Sequence, residues 1–338
     1  MTHLIIHAAG PGTTLQDGGR HGYLRYGLSA AGPMDWRSHG RANILAGNPE
    51  DGAAIEVGIG GIEIGAREGA VSIGYAGAPF SVMLNGQALP AAGCVRLGQD
   101  ERLSVKPGRS GAWFYLSPSG GFDLPLVMGS LSTSLRSGIG GFNGRALAAG
   151  DELPLGDAAL LPELGYDERP VPPRRPIRVV LGPQDDYFSE AGLAQFFSAE
   201  FRLAPRSDRM GYRLDGPPIE HSRGFNIVSD GISLGAIQVP GDGKPIVLMA
   251  DRQSTGGYPK IGYVIRADIG RLAQLRAGES LRFARIDVAG ARAELFAALS
   301  DMRRSRKDAY PLGVGNLTSE FLLSQNLISG ARGEAEEY

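Results

Sequence analysis

Short apolar or alternating runs separated by turns dominate the chain and predict β-strands. Residues 71–75, 80–84 and 112–116 are rich in β-branched and aromatic side chains, which suit a pleated and half-buried surface. Asn85-Gly86 is typical of a two-residue hairpin turn. Because turn signals recur roughly every ten residues, the pattern favours sandwiches or barrels. We therefore predict a mainly β protein with a few helices.

Helical periodicity is confined to three segments. The predicted helices cover residues 36–46, 186–197 and 289–306. Asp35 is placed to cap the first helix and Gly47 to end it. In the third helix, Leu295, Phe296 and Leu299 fall on one face, which we expect to be buried.

A proline-rich stretch divides the chain. Residues 169–176 contain four prolines, which favour extended backbone and forbid a helix, as in a connector. The predicted division is an N-terminal β lobe (1–168), this linker (169–176), a C-terminal β lobe (177–288) and a C-terminal helix and tail (289–338).

The two predicted lobes begin alike. Each opens with an apolar run, then Gly-Pro, then Gln-Asp, at Gln16-Asp17 and at Gln184-Asp185. This pattern indicates two related halves. Chance similarity is the alternative, because the matches are short.

Composition excludes several classes of protein. The 338 residues are 42% hydrophobic and carry a net charge of −2, so binding to nucleic acid through bulk positive charge is excluded, and there is no polybasic membrane patch. No apolar run is long enough to cross a membrane, and the first residues are too polar for a signal peptide. A single cysteine, Cys94, allows no internal disulfide and no thiolate metal cluster. We expect a cytoplasmic protein with no nucleic-acid or membrane partner.

Several familiar motifs are incomplete. Residues 241–244 read Gly-Asp-Gly-Lys, but Pro245 stands where a phosphate-binding loop needs Ser or Thr. The glycine pairs near residues 58–61 and 138–141 lack the third glycine of a dinucleotide fingerprint. The five histidines have no metal-ligand spacing. We therefore predict no metal site and no cofactor bound by a motif.

The first segment dense in polar residues covers residues 10–20. Gln16, Asp17 and Arg20 offer donors and acceptors among glycines that allow close approach of the backbone, and we predict that they bind substrate. The alternative is a structural glycine turn. In that case Asp17 and Arg20 would pair with each other or with the backbone.

The second such segment follows a fully apolar run at residues 246–250, which we interpret as a buried strand. Its end would present Asp251, Arg252 and Gln253, because a rigid element can hold a polar site. Asp251 is the predicted catalytic carboxylate, and Arg252 could grip a substrate carboxylate through both of its oxygens.

Lys260, the second predicted catalytic residue, could stabilise a developing oxyanion. Gln238, Lys244 and Gln253 are the remaining predicted substrate-binding residues. The alternative is a structural Asp–Arg pair at a strand end, with Lys260 in solvent.

Together these segments resemble the allophanate hydrolase subunit 2 family, also called the biotin-dependent carboxyltransferase family. The resemblance covers about residues 4–288. It is carried by residues 10–20, 43–48, 55–56, 129–130, 132–133, 140–141, 144–145, 182–184, 209–214 and 238–260. The family includes the C subunit of the bacterial 5-oxoprolinase and the carboxyltransferase region of urea carboxylase.

The resemblance implies two cyclophilin-like, β-barrel-like lobes and a multi-subunit enzyme. Its partners would be a subunit 1-type protein, similar to the 5-oxoprolinase B subunit, and a lamB/YcsF-type subunit. The complex would use ATP to open 5-oxoproline, a lactam, to glutamate. In the alternative, the chain transfers a carboxyl group to urea or a similar amide, with biotin carried on another chain because this one has no Met-Lys-Met attachment site. A third alternative is a non-catalytic chain that binds and regulates a subunit 1-type partner.

The C-terminal region departs from the family pattern. Residues 315–328 alternate apolar and polar side chains after the last predicted helix. They could form an amphipathic packing segment or a partner-docking arm.

Overall fold

The computed structural model describes residues 2–167 and 175–312. The first strands are β1 (His3–Ala9), β2 (Thr14–Gln16), β3 (Ala54–Val57), β4 (Ile62–Arg67), β5 (Val71–Gly77), β6 (Ser81–Leu84), β7 (Gln87–Ala88), β8 (Ala92–Leu97), β9 (Arg102–Lys106), β10 (Phe114–Pro118), β11 (Glu152–Pro154) and β12 (Leu164–Tyr166). The later strands are β13 (Ile177–Leu181), β14 (Phe201–Leu203), β15 (Gly211–Asp215), β16 (Asp230–Gly231), β17 (Ala236–Gln238), β18 (Ile246–Leu248), β19 (Thr255–Gly256), β20 (Lys260–Val264), β21 (Ser280–Leu281), β22 (Phe283–Arg285) and β23 (Tyr310–Pro311). The α-helices are α1 (Trp36–Leu45), α2 (Glu190–Ser198), α3 (Arg266–Ala273) and α4 (Val288–Arg303).

The first lobe consists of two sheets around one core. A six-stranded sheet has the order β11-β1-β4-β9-β6-β7, and a seven-stranded sheet has the order β2-β3-β10-β5-β8-β12-β23. Both contribute to one apolar cluster, for example through Ile6 of β1 and Ile73 of β5. The hairpin predicted at Asn85-Gly86 is confirmed, since both residues have positive φ and join β6 to β7.

The second lobe is a nearly closed barrel. Its eight-stranded sheet has the order β21-β14-β15-β18-β17-β20-β13-β22, and only Arg282 separates the two edge strands along the chain. Phe196, Phe201 and Phe283 pack against one another inside it. The prediction of a mainly β protein with barrel-like lobes is thus confirmed.

Helix α1 lies directly on the first lobe. Asp35 caps it as predicted, with a side-chain oxygen that accepts hydrogen bonds from the amides of Arg37 and Ser38. A Cβ atom added to Gly74 of β5 would lie 2.2 Å from the carbonyl oxygen of Ala42, so only glycine permits this close approach.

The other helices differ in part from the prediction. Helix α2 begins at Glu190 rather than at residue 186, because the Ser189 hydroxyl caps it after a separate 3₁₀ turn (Asp185–Tyr187). Helix α3 has no counterpart among the predicted helices. Helix α4 is confirmed, but the prediction that Phe296 is buried is wrong: its side chain is 58% exposed and lies under the Arg292 guanidinium.

The two lobes meet along α1, α3 and α4. Asp301 of α4 accepts hydrogen bonds from Arg37 and Arg41 of α1, at 2.9 and 3.1 Å. After α4 the chain returns to the first lobe, where β23 pairs with β12.

The predicted domain boundaries stay a prediction. Most of the predicted linker and all of residues 315–328 lie outside the described residues. Within the described ranges, no helix is long and apolar enough to cross a bilayer.

Candidate functional site

Gln16 is buried at the end of β2 and fully used within the first lobe. Its amide nitrogen donates to the Thr14 hydroxyl at 2.9 Å and to the Thr133 carbonyl at 3.1 Å, while its oxygen accepts from the Gly32 amide at 3.0 Å. The side chain thus fixes the position of the loop that contains Gly32.

Asp17 lies under the segment 130–132. Its carboxylate accepts hydrogen bonds from the hydroxyls of Ser130 and Ser132, both at 2.6 Å, and from the amides of Gly19 and Leu131. Burial opposes ionisation, but these hydrogen bonds outweigh it and lower the pKa of Asp17 below its usual value.

Arg20 is 1% exposed and anchors the same segment. Its guanidinium donates to the carbonyl oxygens of Val127 and Ser132, both at 2.9 Å. The three first-lobe residues predicted to bind substrate are therefore held in a network of local contacts. This is the geometry of the structural alternative, although it does not test their role.

A buried ion cluster joins the lobes. Arg209, between β14 and β15, binds both oxygens of Asp251 at 2.8 and 2.9 Å and donates to the Gly32 carbonyl at 2.9 Å. It also pairs with Glu56 of β3, whose other oxygen accepts from the Tyr115 hydroxyl at 2.7 Å. Burial raises the pKa of Glu56, although Arg209 opposes this shift.

This cluster holds the Asp251 turn against the first lobe. The predicted strand at 246–250 is confirmed by β18, and Asp251 and Arg252 follow it as expected. The Asp251 amide donates to the Arg209 carbonyl at 2.8 Å, so backbone and side chain both fix the turn.

A hollow of about 110 Å³ opens between this turn and the first lobe. Its lining residues are Gly18, His21, Gly22, Leu24, Ala30, Ala31, Pro33, Leu234, Ala250, Arg252 and Arg266. The early glycine-rich turn and the later polar segment therefore share one hollow, although Gln16, Asp17 and Arg20 do not line it.

Arg252 and Arg266 bring positive charge to the hollow. Arg252 is 7% exposed and donates to the carbonyl oxygens of Ile232 and Met249 at 3.3 and 3.4 Å. Arg266, the first residue of α3, is exposed and lies over the Trp36 ring with its Cζ 5.5 Å from the centroid. Gln253, next along the chain from Arg252, is half-buried.

Lys260 lies at the other end of these strands. Gln238 pairs with both Ile246 and Lys260, whereas the Asp251 turn follows the opposite end of β18. The Lys260 side chain is completely buried, and its amine donates to the exposed Asp230 at 2.9 Å. The two residues predicted to be catalytic, Asp251 and Lys260, thus have different partners.

Gln238 and Lys244 also belong to the Lys260 end. Gln238 is 2% exposed, and its amide lies 3.5 Å from the Tyr258 carbonyl oxygen. Lys244 forms an exposed ion pair with Asp215 at 3.0 Å. The second-lobe candidates are therefore divided between two ends of one sheet.

The structure offers no further metal or thiol chemistry within residues 2–167 and 175–312. No group of three potential metal ligands occurs there. Cys94 is 1% exposed, and burial raises its pKa to about 12, so it is an unreactive thiol.

Comparisons with known proteins agree with this fold. Residues 26–285 match the family model described as "Carboxyltransferase domain, subdomain A and B". The chain is 40% identical to the C subunit of 5-oxoprolinase from Haemophilus influenzae, over 80% of this chain and 87% of that protein. The chain belongs to this carboxyltransferase family.

Other family members extend the comparison. Identity is 37% with the C subunit of 5-oxoprolinase from Escherichia coli, over 83% of this chain and 90% of that protein. The K. lactis urea amidolyase structure superposes with a TM-score of 0.82 at 28% identity, over 89% of this chain. The match spans only 20% of that longer chain, so the shared part is one region of a larger enzyme.

Two residues of the site are missing from the sequence-based prediction. Arg209 falls within a family motif without being singled out there, although Gly211 and a following strand mark a tight turn. Arg266 carries no sequence signal, because α3 lacks one and the 14-residue separation from Arg252 is not a motif.

Proposed function

We propose that the chain is a subunit of an ATP-dependent 5-oxoprolinase, equivalent to the C subunit of the bacterial enzyme. The carrying observation is 37–40% identity to two bacterial proteins of that name, over 87–90% of their length. Such coverage argues that the chain corresponds to the whole of those subunits.

The hollow between the lobes is the proposed substrate site. It adjoins Asp251, the proposed catalytic carboxylate, and contains Arg252, the proposed contact for the substrate. Arg209 holds Asp251 in place, and such preorganisation of a charged group favours catalysis.

Lys260 is the proposed stabiliser of negative charge on the lactam oxygen. A fully buried ammonium group acts more strongly on a developing charge than one in water. Because Lys260 pairs with Asp230, we propose that this ion pair rearranges when substrate binds. Gln238 and Gln253 are proposed to bind substrate on either side.

The proposed partners are a subunit 1-type protein and a lamB/YcsF-type subunit, with ATP used by the complex. The names of the two bacterial relatives each designate one subunit of an enzyme, which supports a multi-subunit assembly. We place this complex in the cytoplasm.

The test is turnover by the reconstituted complex. We expect ATP-dependent release of glutamate from 5-oxoproline, and a loss of at least about 10²-fold in kcat for Asp251→Ala, since a positioned acid or base contributes about that much. Asp215→Ala, which removes an exposed carboxylate paired with Lys244, is the control and should keep full activity.

Asp251→Asn keeps the shape of the side chain and separates loss of charge from loss of folding. Full turnover in a folded Asp251→Asn complex would contradict the catalytic role of Asp251. Absence of any 5-oxoproline turnover in the wild-type complex would contradict the proposed function itself.

A second candidate is carboxyl transfer from carboxybiotin to urea or a similar amide. It is favoured by the superposition on urea amidolyase and by 31% identity to the Saccharomyces cerevisiae urea amidolyase. Biotin would be carried on another chain. Urea-dependent use of carboxybiotin in the same assay, without 5-oxoproline turnover, would favour this candidate.

A further inference from the structure

The charges in the interlobe hollow are unbalanced. Among the described residues that line it, Arg252 and Arg266 are positively charged, His21 is titratable and none is acidic. The imidazole of His21 is within 3.0 Å of the Gly18 carbonyl oxygen. Two guanidinium groups therefore face one small space whose described wall holds no carboxylate.

The nearest acidic side chain is engaged elsewhere. Asp251 precedes Arg252 in the chain, but both of its oxygens accept hydrogen bonds from Arg209. Arg252 instead contacts three carbonyl oxygens at 3.3 to 3.5 Å, which are long hydrogen bonds. Arg266 has an aromatic ring, Trp36, beneath it.

This arrangement has a free-energy cost in the unliganded protein. Burial lowers the pKa of Arg252, and the positive charge of Arg266 lowers it further, with only partial compensation from Asp251. An anion in the hollow would relieve this repulsion and supply the missing acceptors.

We infer that Arg252 and Arg266 together form a binding subsite for a carboxylate group. A guanidinium presents parallel N–H donors that match the two oxygens of a carboxylate. The hollow of about 110 Å³ suits a small carboxylate and is too small for a nucleotide triphosphate. The identity of the carboxylate as that of 5-oxoproline rests on the proposed function.

Equilibrium binding to the full chain tests the subsite without requiring turnover. The probes are 5-oxoproline, acetate, inorganic phosphate at equal ionic strength, and 2-pyrrolidinone, which is the same lactam without the carboxylate. We expect Arg252→Met and Arg266→Met each to raise the Kd for 5-oxoproline about ten- to a hundredfold, as for loss of a hydrogen bond to a charged group. The affinity for 2-pyrrolidinone should not change.

Arg292→Met is a matched control. Arg292 is also exposed and also lies over an aromatic ring, with its Cζ 5.5 Å from the Phe296 centroid, but it is outside the hollow. It should leave every Kd unchanged. Arg266→Lys keeps the charge but not the paired donors, and should give an intermediate Kd for 5-oxoproline.

Several results would overturn the inference: no carboxylate binds the full chain, phosphate binds and carboxylates do not, or the substitutions weaken 5-oxoproline and 2-pyrrolidinone equally. In the complex, the same variants should raise KM for 5-oxoproline more than they lower kcat. If the complex turns over 5-oxoproline but KM is unaffected, the subsite is wrong and the proposed function stands. If carboxylates bind through both arginines but 5-oxoproline is not turned over, the subsite stands and the proposed function fails.

Discussion

Two polar segments of similar density have opposite fates in this protein. In the first lobe, Asp17 and Arg20 find their partners in a neighbouring loop of the same lobe. In the second lobe, Arg252 faces a shared hollow with only long hydrogen bonds to carbonyl oxygens. Dense polar sequence therefore indicates either a structural network or a site, and partner saturation separates the two.

Arg209 belongs to both categories, since it is saturated and also borders the hollow. It is held by Asp251, Glu56 and the Gly32 carbonyl, and so couples the turn that precedes Arg252 to the first lobe. Arg178 has the same arrangement on β13, with both oxygens of Asp268 and with Glu294 as partners, but it lies against α3 and α4. Identical ion chemistry thus serves a site in one place and helix packing in the other.

The largest expected effect comes from breaking the Arg209 cluster. Arg209→Ala leaves two buried carboxylates, Glu56 and Asp251, without their cation, so we expect a loss of about 3–5 kcal/mol in the free energy of unfolding, measured by urea denaturation. Arg145→Ala removes the half-exposed partner of Asp151 and should cost less than about 1 kcal/mol. Similar losses for both variants would contradict the special role of the interlobe cluster.

A smaller effect is expected at Asp17. Asp17→Asn weakens charge-assisted hydrogen bonds from Ser130, Ser132 and Leu131, and we expect a loss of about 2 kcal/mol at neutral pH. Because the pKa of Asp17 is lowered in the folded state, its stabilisation is complete above the unfolded value of about 4 and is lost as pH falls through the folded value.

The measurement is the difference in unfolding free energy between wild type and Asp17→Asn as a function of pH. This difference should shrink below about pH 4. Asp123→Asn, at an exposed position, should match wild type within about 0.5 kcal/mol. A difference that is constant from neutral to acidic pH would show that the ionised carboxylate is not what stabilises the loop.

The smallest effect is expected at Lys244. The sequence predicts a substrate contact, but its exposed pair with Asp215 lies at the end of β18 away from the hollow. We expect Lys244→Ala to change kcat/KM of the complex less than about twofold and stability by less than about 1 kcal/mol. A tenfold loss of kcat/KM with normal stability would instead support the predicted contact and extend the site to the Lys260 end.

Local sequence is sufficient for many elements of the fold. The Asp35 cap, the Asn85-Gly86 turn and the apolar run of β18 each depend on neighbours in the chain, and all three predictions are confirmed. Helix α3 escapes prediction because Ile265 at its start supplies no side-chain cap. The prediction that Phe296 is buried is wrong because periodicity alone does not say how wide the covered face of a helix is.

The site can be predicted only in part. Sequence density identifies the turns that contain Gly18 and Arg252, and these turns do line one hollow. It cannot place Lys260 and Asp251 at opposite ends of the β17–β18 pair, because register within a sheet depends on cross-strand partners. Nor can it show that Asp251 is occupied by Arg209, which lies 42 residues away in the chain.

By itself the sequence determined the mainly β class, the principal turns and caps and the family, because these depend on local patterns and on motifs in order. Only the tertiary structure decided which charges are neutralised and which are left facing a hollow. The reason is that hydrogen-bond saturation is a property of groups brought together from distant parts of the chain, such as Asp17 with Ser132 or Arg209 with Glu56. Arg252 and Arg266 differ from these groups, because no acidic side chain lies among the described residues that line their hollow.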